Sequence, residues 1–320
     1  MKKIRVGVVG VGHLGQHHAR IYAKNSRCEL IGVVDINKKT AIKIARIYNT
    51  QSFFAYQYLI GKVDAVSIAV PTISHFEIAK AFLENNVHVL VEKPITTTVK
   101  EAHELIALAR QRSLILQVGH IERFNAAIRK LNEILKTPKF IEAHRLGPFD
   151  PRVKDIGAVM DLMIHDIDII LRIVKSPIQS IEAVGIPILT DKEDLANARI
   201  RFENGCMANV TVSRVTPHPM RKIRIFQPDA YISIDYRKQS MEIYRKVENP
   251  IAQKGELPAK IVRKKLRLKS EEPLKVELDH FLKCVQKGVE PTVTGEHARD
   301  ALEIVVQISQ EIRRRLNEQQ

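Results

Sequence analysis

Apolar residues in the first third of the chain come in short unbroken runs. IRVGVVG (Ile4–Gly10), CELIGVVD (Cys28–Asp35), VDAVSIAVP (Val63–Pro71), VHVLVEKP (Val87–Pro94) and LILQVG (Leu114–Gly119) have too few polar positions to leave one face wet. Runs of this kind are strands buried on both faces, as in a parallel sheet. Between them, a stretch from Gly15 and the segments Lys38–Tyr48, His75–Asn86 and Val99–Arg112 place apolar residues at helical spacing. Strand and helix in alternation predict a parallel sheet covered by helices on both sides.

Beyond about Arg123 the pattern changes. A helix over Ala126–Leu135 leads to a strand, Lys139–Leu146, and Met160–Val174 is again helical. The runs IQSIEAVGI, ANARIRFENG, CMANVTVSRV, RKIRIFQ, AYISIDY and MEIYRKV then follow with few helices between them, and Asn204-Gly205 marks a hairpin. This is the pattern of an open, mainly antiparallel sheet. Two helices, near Val276–Gln286 and Glu296–Leu316, follow it, and 247–258 reads as a flexible loop. The expected division is 1–122 and 123–320.

Composition narrows the class. With 320 residues, 45% hydrophobic and 27% charged, the chain can bury two cores and is neither disordered nor membrane-spanning. Lysines before the apolar N-terminal run imitate a signal peptide, but glycines and His13 interrupt it, so it reads as a buried strand. Three cysteines, Cys28, Cys206 and Cys284, form no metal or disulfide pattern, which fits a reducing cytoplasm. The net charge of +15 describes either a solvated basic surface or one that attracts an anionic partner. The densest basic run, Lys260–Lys269, alternates like a strand with one wet face. No nucleic-acid-binding signature accompanies it, so neither nucleic acid nor membrane is expected as a partner.

The candidate chemistry begins at GVGHLG. Its G-x-G-x-x-G spacing follows a buried strand and opens a helix, the context of a dinucleotide fingerprint. Gly10 permits the turn, Gly12 admits a pyrophosphate, and Gly15 lets the helix lie close. His13 and Leu14 complete the loop, and the helix N-terminus offers its N–H groups. This is a Rossmann-type NAD-binding domain. Asp35 ends the second strand, where a carboxylate accepts from ribose hydroxyls and repels a 2′-phosphate. NAD is therefore expected, and Lys38 and Lys39 keep NADP possible. Val70, Pro71, His75, Glu92 and Lys93 lie at or just beyond the ends of further parallel strands, where cofactors bind. A lysine beside a nicotinamide can polarise an alcohol oxygen.

GVGHLG, AVPTISH (Ala69–His75), VEKP and QVGHIERFN (Gln117–Asn125), continued by PTVTGEHARDALEIV (Pro291–Val305), resemble the glucose–fructose oxidoreductase / inositol dehydrogenase (Gfo/Idh/MocA) family over essentially the whole chain. The resemblance implies a nicotinamide-dependent sugar or cyclitol dehydrogenase. It also implies that DLMIHDID (Asp161–Asp168) holds half of the active site, with Asp161 and His165 matching a family Asp/His pair. On an α-helix four residues advance about 400°, which puts both on one face, with Asp168 on the same stripe. Met163, where many members have glycine, is expected to reshape the pocket beside the pair. No metal is expected, since H-E-x-x-H spacing is absent. Lys93, Asp161 and His165 are the expected catalytic residues, and the same three also contact substrate.

The run Arg145–Leu171, with NVTVSRV (Asn209–Val215), is similar to a subgroup acting on UDP-N-acetylglucosamine at its 3-hydroxyl, for a lipid A diamino sugar. Arg123, Arg152 and Arg214 are candidates for its diphosphate. A simple sugar, an inositol, or a non-catalytic dinucleotide-binding regulator remain alternatives. The face of the antiparallel sheet not covered by helices is expected to pack on a second subunit, giving a homodimer or homotetramer.

Overall fold

A computed structural model describes residues 3–151, 156–248 and 259–318. The chain forms two compact units, Met1–Phe124 with Glu272–Leu302, and Asn125–Glu271 with Glu303–Gln320. The linear division at 123 assigned the whole C-terminal part to the second domain; instead, Glu272–Leu302 returns to the first unit. Apolar burial is the cause. Leu274, Leu278, Phe281 and Leu282 share a core with Val6, Val8, Ala19 and Tyr22. An apolar helix face is visible in sequence, but which sheet receives it is not.

The first unit holds β1 (Ile4–Val9), α1 (Gly15–Ala23), β2 (Cys28–Val34), α2 (Lys38–Tyr48), β3 (Gln51–Phe53), β4 (Ala65–Ile68), α3 (His75–Glu84), β5 (His88–Glu92), α4 (Val99–Gln111) and β6 (Leu116–Gly119), and later α7 (Pro273–Lys287). Its sheet is parallel in the order β3-β2-β1-β4-β5-β6. β3 is too short to show a pattern in sequence. The order reverses between β1 and β4, so a crevice opens beyond their carboxyl ends. The helices start at defined caps: Asn37 accepts from Thr40 N–H, and Thr98 with Glu101 makes a capping box.

The second unit holds α5 (Ala126–Ile134), β7 (Phe140–Leu146), α6 (Ile164–Val174), β8 (Ile178–Ile186), β9 (Leu195–Phe202), β10 (Met207–Ser213), β11 (Met220–Gln227), β12 (Ala230–Asp235), β13 (Ser240–Glu248) and β14 (Ala259–Leu266). α8 (Gly295–Glu318) begins in the first unit and ends in the second. The eight-stranded sheet has the order β14-β13-β12-β11-β7-β10-β9-β8. It is antiparallel except where β7 pairs with β10. Gly205 takes φ +78° in the β9–β10 hairpin, as the Asn-Gly pair requires. Ile141, Ala143, Ala198, Val210, Val212, Ile223, Ile232 and Met241 are buried on one face. The other face carries an aromatic ladder, Phe140–Phe226–Tyr231–Tyr244, with ring centroids 5.7, 4.8 and 5.1 Å apart.

The basic run Lys260–Lys265 departs from its expected single wet face. All six residues are exposed, including Ile261 and Val262. β14 is an edge strand paired only with β13, whose last four residues are exposed as well. Alternation predicts a strand but does not guarantee a layer beneath it. Of the expected loop 247–258, residues 249–258 lie outside the described residues.

α6 is tied to the sheet by a buried ion pair. Arg145 of β7 donates to both carboxylate oxygens of Asp166, at 2.8 and 3.2 Å, and its guanidinium lies 5.3 Å from the Tyr236 ring centroid. The two side chains are 3% and 0% exposed. Removing one partner strands a charge in a low-dielectric interior, whereas removing both does not. Asp166→Ala is therefore expected to lose about 3–5 kcal/mol of stability in denaturant unfolding, and Arg145→Met with Asp166→Leu much less.

Candidate active site

The glycine turn divides into structural and open positions. Gly10 has φ +82°, and a Cβ there would lie 2.5 Å from the Ala69 carbonyl oxygen. A Cβ on Gly15 would lie 1.7 Å from the Gly10 carbonyl oxygen. Both positions are needed for α1 to meet β1 and β4 at all. Gly12 differs: a Cβ there meets nothing within 4 Å. Gly12, His13 and Leu14 are exposed at the start of α1. The bare backbone beside a helix N-terminus is the cradle a pyrophosphate requires, so the residues fit a dinucleotide. Asp35, at the carboxyl end of β2, accepts from Val11 N–H at 3.0 Å and Asn37 N–H at 2.8 Å. Those bonds aim the carboxylate from the strand end toward the glycine loop. Ile36 beside it is 93% exposed.

At the ends of β4 and β5 the structure redistributes roles. Val70 is half-buried, Pro71 exposed and Lys93 half-buried. His75 and Glu92, both expected to touch the cofactor, turn inward. His75 is 1% exposed, with Nδ1 2.8 Å from the Pro94 carbonyl oxygen and Nε2 2.9 Å from that of Val70. Burial pushes its pKa below the ordinary value, against the pull of the two carbonyls. A neutral ring donates to one of the two, and thereby ties the end of β4 to the turn that carries Lys93. Glu92 is 7% exposed, and Gly119 leaves room for its carboxylate, since a Cβ there would lie 2.7 Å away. Its Oε1 is 3.2 Å from His18 Nε2. Both residues therefore brace the turn from behind. The Lys93–Pro94 peptide is cis.

In the second unit, Asp161 lies in Val159–Met163, which winds as a π-helix before α6 begins at Ile164. Wider turns of this kind recur at functional sites. Asp161 and His165 are half-buried, while Asp166, Ile167 and Asp168 are buried. The expected pair thus lines the accessible stripe of this helix, and Asp168 does not. Met163 is fully buried. It belongs to the core and does not reshape an accessible pocket, because two residues from Asp161 and from His165 turn it by roughly 200°, to the opposite side of the helix.

The helix start is held from the β8–β9 loop. Val159 N–H donates to Glu193 Oε1 at 3.3 Å, Ala158 N–H donates to the Glu193 carbonyl at 2.8 Å, and Gly157 leaves the space Glu193 occupies. Next in sequence, Asp194 accepts from Ile188, Leu189 and Thr190 N–H groups and from Arg214 Nε at 2.7 Å. These bonds hold the Asp194 carboxyl well below the ordinary range despite its burial. Arg214 is 3% exposed, donates also to the Ile156 carbonyl, and stacks 5.2 Å from the Phe149 ring centroid. It is a buried strut of this loop, not the open diphosphate ligand its position promised. Arg123 is half-buried in the turn Ile121–Phe124 of the first unit, and Arg152 lies outside the described residues.

Sequence reasoning missed Arg145, Asp166, Glu193 and His18. All are charged or polar residues whose roles are set by partners distant in the chain.

Two outcomes test the turn and the strut. Gly12→Val should leave the melting temperature unchanged and abolish NADH binding in a fluorescence titration, whereas Gly15→Ala should lower the melting temperature. Asp194→Asn should destabilise the protein most at neutral pH. A depressed carboxyl contributes stability above its unfolded pKa and loses it as pH falls through the folded one. The melting temperatures of wild type and variant should therefore converge in acid.

The description "Oxidoreductase family, NAD-binding Rossmann fold" matches residues 4–120, and the GFO/IDH/MocA C-terminal domain matches 137–233. UDP-N-acetylglucosamine 3-dehydrogenase of Acidithiobacillus ferrooxidans is 42% identical over 247 residues, covering 77% of this chain and 78% of that protein. A solved structure of that enzyme has a TM-score of 0.89 at 36% identity and covers 98% of each chain. The scyllo-inositol 2-dehydrogenase (NAD(+)) of Bacillus subtilis is 27% identical over 94% of this chain and 92% of its own. With its glycine cradle, its Asp35 and its two sheets, the chain belongs to the Gfo/Idh/MocA family of oxidoreductases, whose relatives here are dehydrogenases acting on sugar or cyclitol CH–OH groups.

Proposed function

We propose that this protein oxidises the 3-hydroxyl of UDP-N-acetylglucosamine to a ketone with NAD. The observation that carries the reading is the accessible Asp161/His165 stripe, present together with Lys93 in a chain 42% identical to an enzyme of that name. The nicotinamide, when bound, supplies the hydride acceptor. His165 takes the hydroxyl proton as general base. Asp161, one turn away on the same helix, orients the alcohol for that transfer. The Lys93 ammonium offsets negative charge growing on that oxygen. Asp35 favours NAD over NADP, because its carboxylate would repel a 2′-phosphate. Of the three arginines considered for the diphosphate, Arg123 is the one described with part of its surface open.

The second sheet carries its aromatic ladder on the face opposite its buried one, among Glu142, Glu242, Arg199 and Arg224. Such a face supports self-association, since apolar rings flanked by both signs of charge can be self-complementary.

The purified protein with NAD and UDP-N-acetylglucosamine should produce NADH absorbance. Free N-acetylglucosamine, scyllo-inositol, and NADP in place of NAD should give less. Turnover of scyllo-inositol with none of the nucleotide sugar would move the substrate to the cyclitols. His165→Asn and Lys93→Ala should each lower kcat by about 100- to 10,000-fold, with NADH binding retained in His165→Asn. Wild-type kcat/KM should fall in acid as the base protonates, and that acid limb should vanish in His165→Asn.

A further inference from the structure

Glu277 is not accounted for by packing. It lies in the middle of α7, between Leu274, Leu278 and Phe281, with no exposed surface. Neither of its carboxylate oxygens makes a hydrogen bond among the described residues. Burial, and then the Glu92 charge, holds its carboxyl well above the ordinary carboxylate range. A leucine would fill the space without that cost.

The groups around it come from every neighbouring element of the first unit. α1 contributes His18 and Tyr22, and Tyr22 Oη lies 2.7 Å from Ser67 Oγ of β4. Burial is the largest cause that raises the Tyr22 pKa, and its neighbours Cys28 of β2, Glu277 and Glu92 act in the same direction. β6 contributes Gln117, whose Nε2 donates to the Glu277 carbonyl oxygen at 3.4 Å. The turn Ile121–Phe124, also packed on α7, carries Glu122 and Arg123. β5 contributes Glu92, the residue directly before Lys93. Its carboxylate lies over Gly119 beside His18, and its Oε2 accepts from Lys93 N–H at 3.4 Å.

We propose that Glu277 is a positioning residue for the Lys93 turn: from α7 it places a carboxyl into the buried polar cluster that holds Glu92. The inference rests on the reading of Lys93 as the lysine at the cofactor. While Glu277 keeps its proton, the Glu92 charge has no like neighbour on α7. If Glu277 ionises, two negative charges share a site without water, and Coulomb repulsion there is strong. Glu92 is displaced, and the Lys93 turn moves with it. α7 thereby links the return of the chain to the first unit with the shape of the cofactor end of β5.

The test uses the full chain as wild type, Glu277→Gln and Glu277→Leu. Thermal unfolding without cofactor is followed from pH 5 to 9, with NADH fluorescence titrations over the same range. An unfolded glutamate titrates near about 4.3, while the folded Glu277 retains its proton to higher pH. The unfolded state then binds fewer protons, and wild-type stability falls as pH rises. The melting-temperature gain of Glu277→Gln over wild type should therefore grow from pH 5 upward. Wild-type NADH binding should weaken on the alkaline side, by up to about tenfold per pH unit once Glu277 ionises, and that weakening should be absent in Glu277→Gln. Glu277→Leu should fold at least as stably as wild type yet bind NADH more weakly than Glu277→Gln at neutral pH. A gain in melting temperature that does not change with pH overturns the proposal. So do identical NADH-binding curves for all three proteins. A wild type that binds no NADH at any pH defeats the cofactor reading itself, a result distinct from both of those.

Discussion

The first unit depends on one close approach. The backbone of Gly15 lies against the Gly10 carbonyl, with no room for a side chain. That contact lets α1 start directly over the end of β1, with Gly12, His13 and Leu14 exposed beside its N-terminus. The open cradle assigned to the cofactor follows from it, next to the Asp35 carboxylate held by Val11 and Asn37 N–H groups. One methyl group on Gly15 removes that cradle.

The residues proposed for the chemistry are outnumbered by those that hold them. Lys93 is placed by a turn that His75 and Glu92 both brace, neither of which is open to a ligand. His165 and Asp161 ride on a helix whose start is held by Glu193 and whose underside is clamped by Asp166 to Arg145. Buried charges of this kind contribute little net stability against apolar replacements. They fix orientation, and a hydride-transfer site needs orientation, since small displacements cost rate steeply. Glu277 extends the same logic. It destabilises the fold it sits in, which is the mark of a residue kept for where it points.

Much of this was legible in the chain itself. Buried runs alternating with helical spacing predicted both sheets and nearly every helix, because burial on two faces, on one face, or along a helical stripe leaves different periodicities. The glycine turn and Asp35 were readable for the same reason, as local patterns set by spacing within a few residues, whereas Lys93 and the Asp161/His165 pair stood out only through the resemblance to a family. Tertiary structure alone decided the rest. That α7 joins the first core, that His75 and Glu92 turn inward, that Arg214 is a strut, that Met163 is core, and that Asp166 and Glu277 are buried polar groups are all facts about how segments apart in the chain meet. Periodicity records which face of an element is apolar, and not what is placed against it. A charged residue in an apolar run reads as an exception until its distant partner is known, and the partner sets whether it faces a ligand or braces what does.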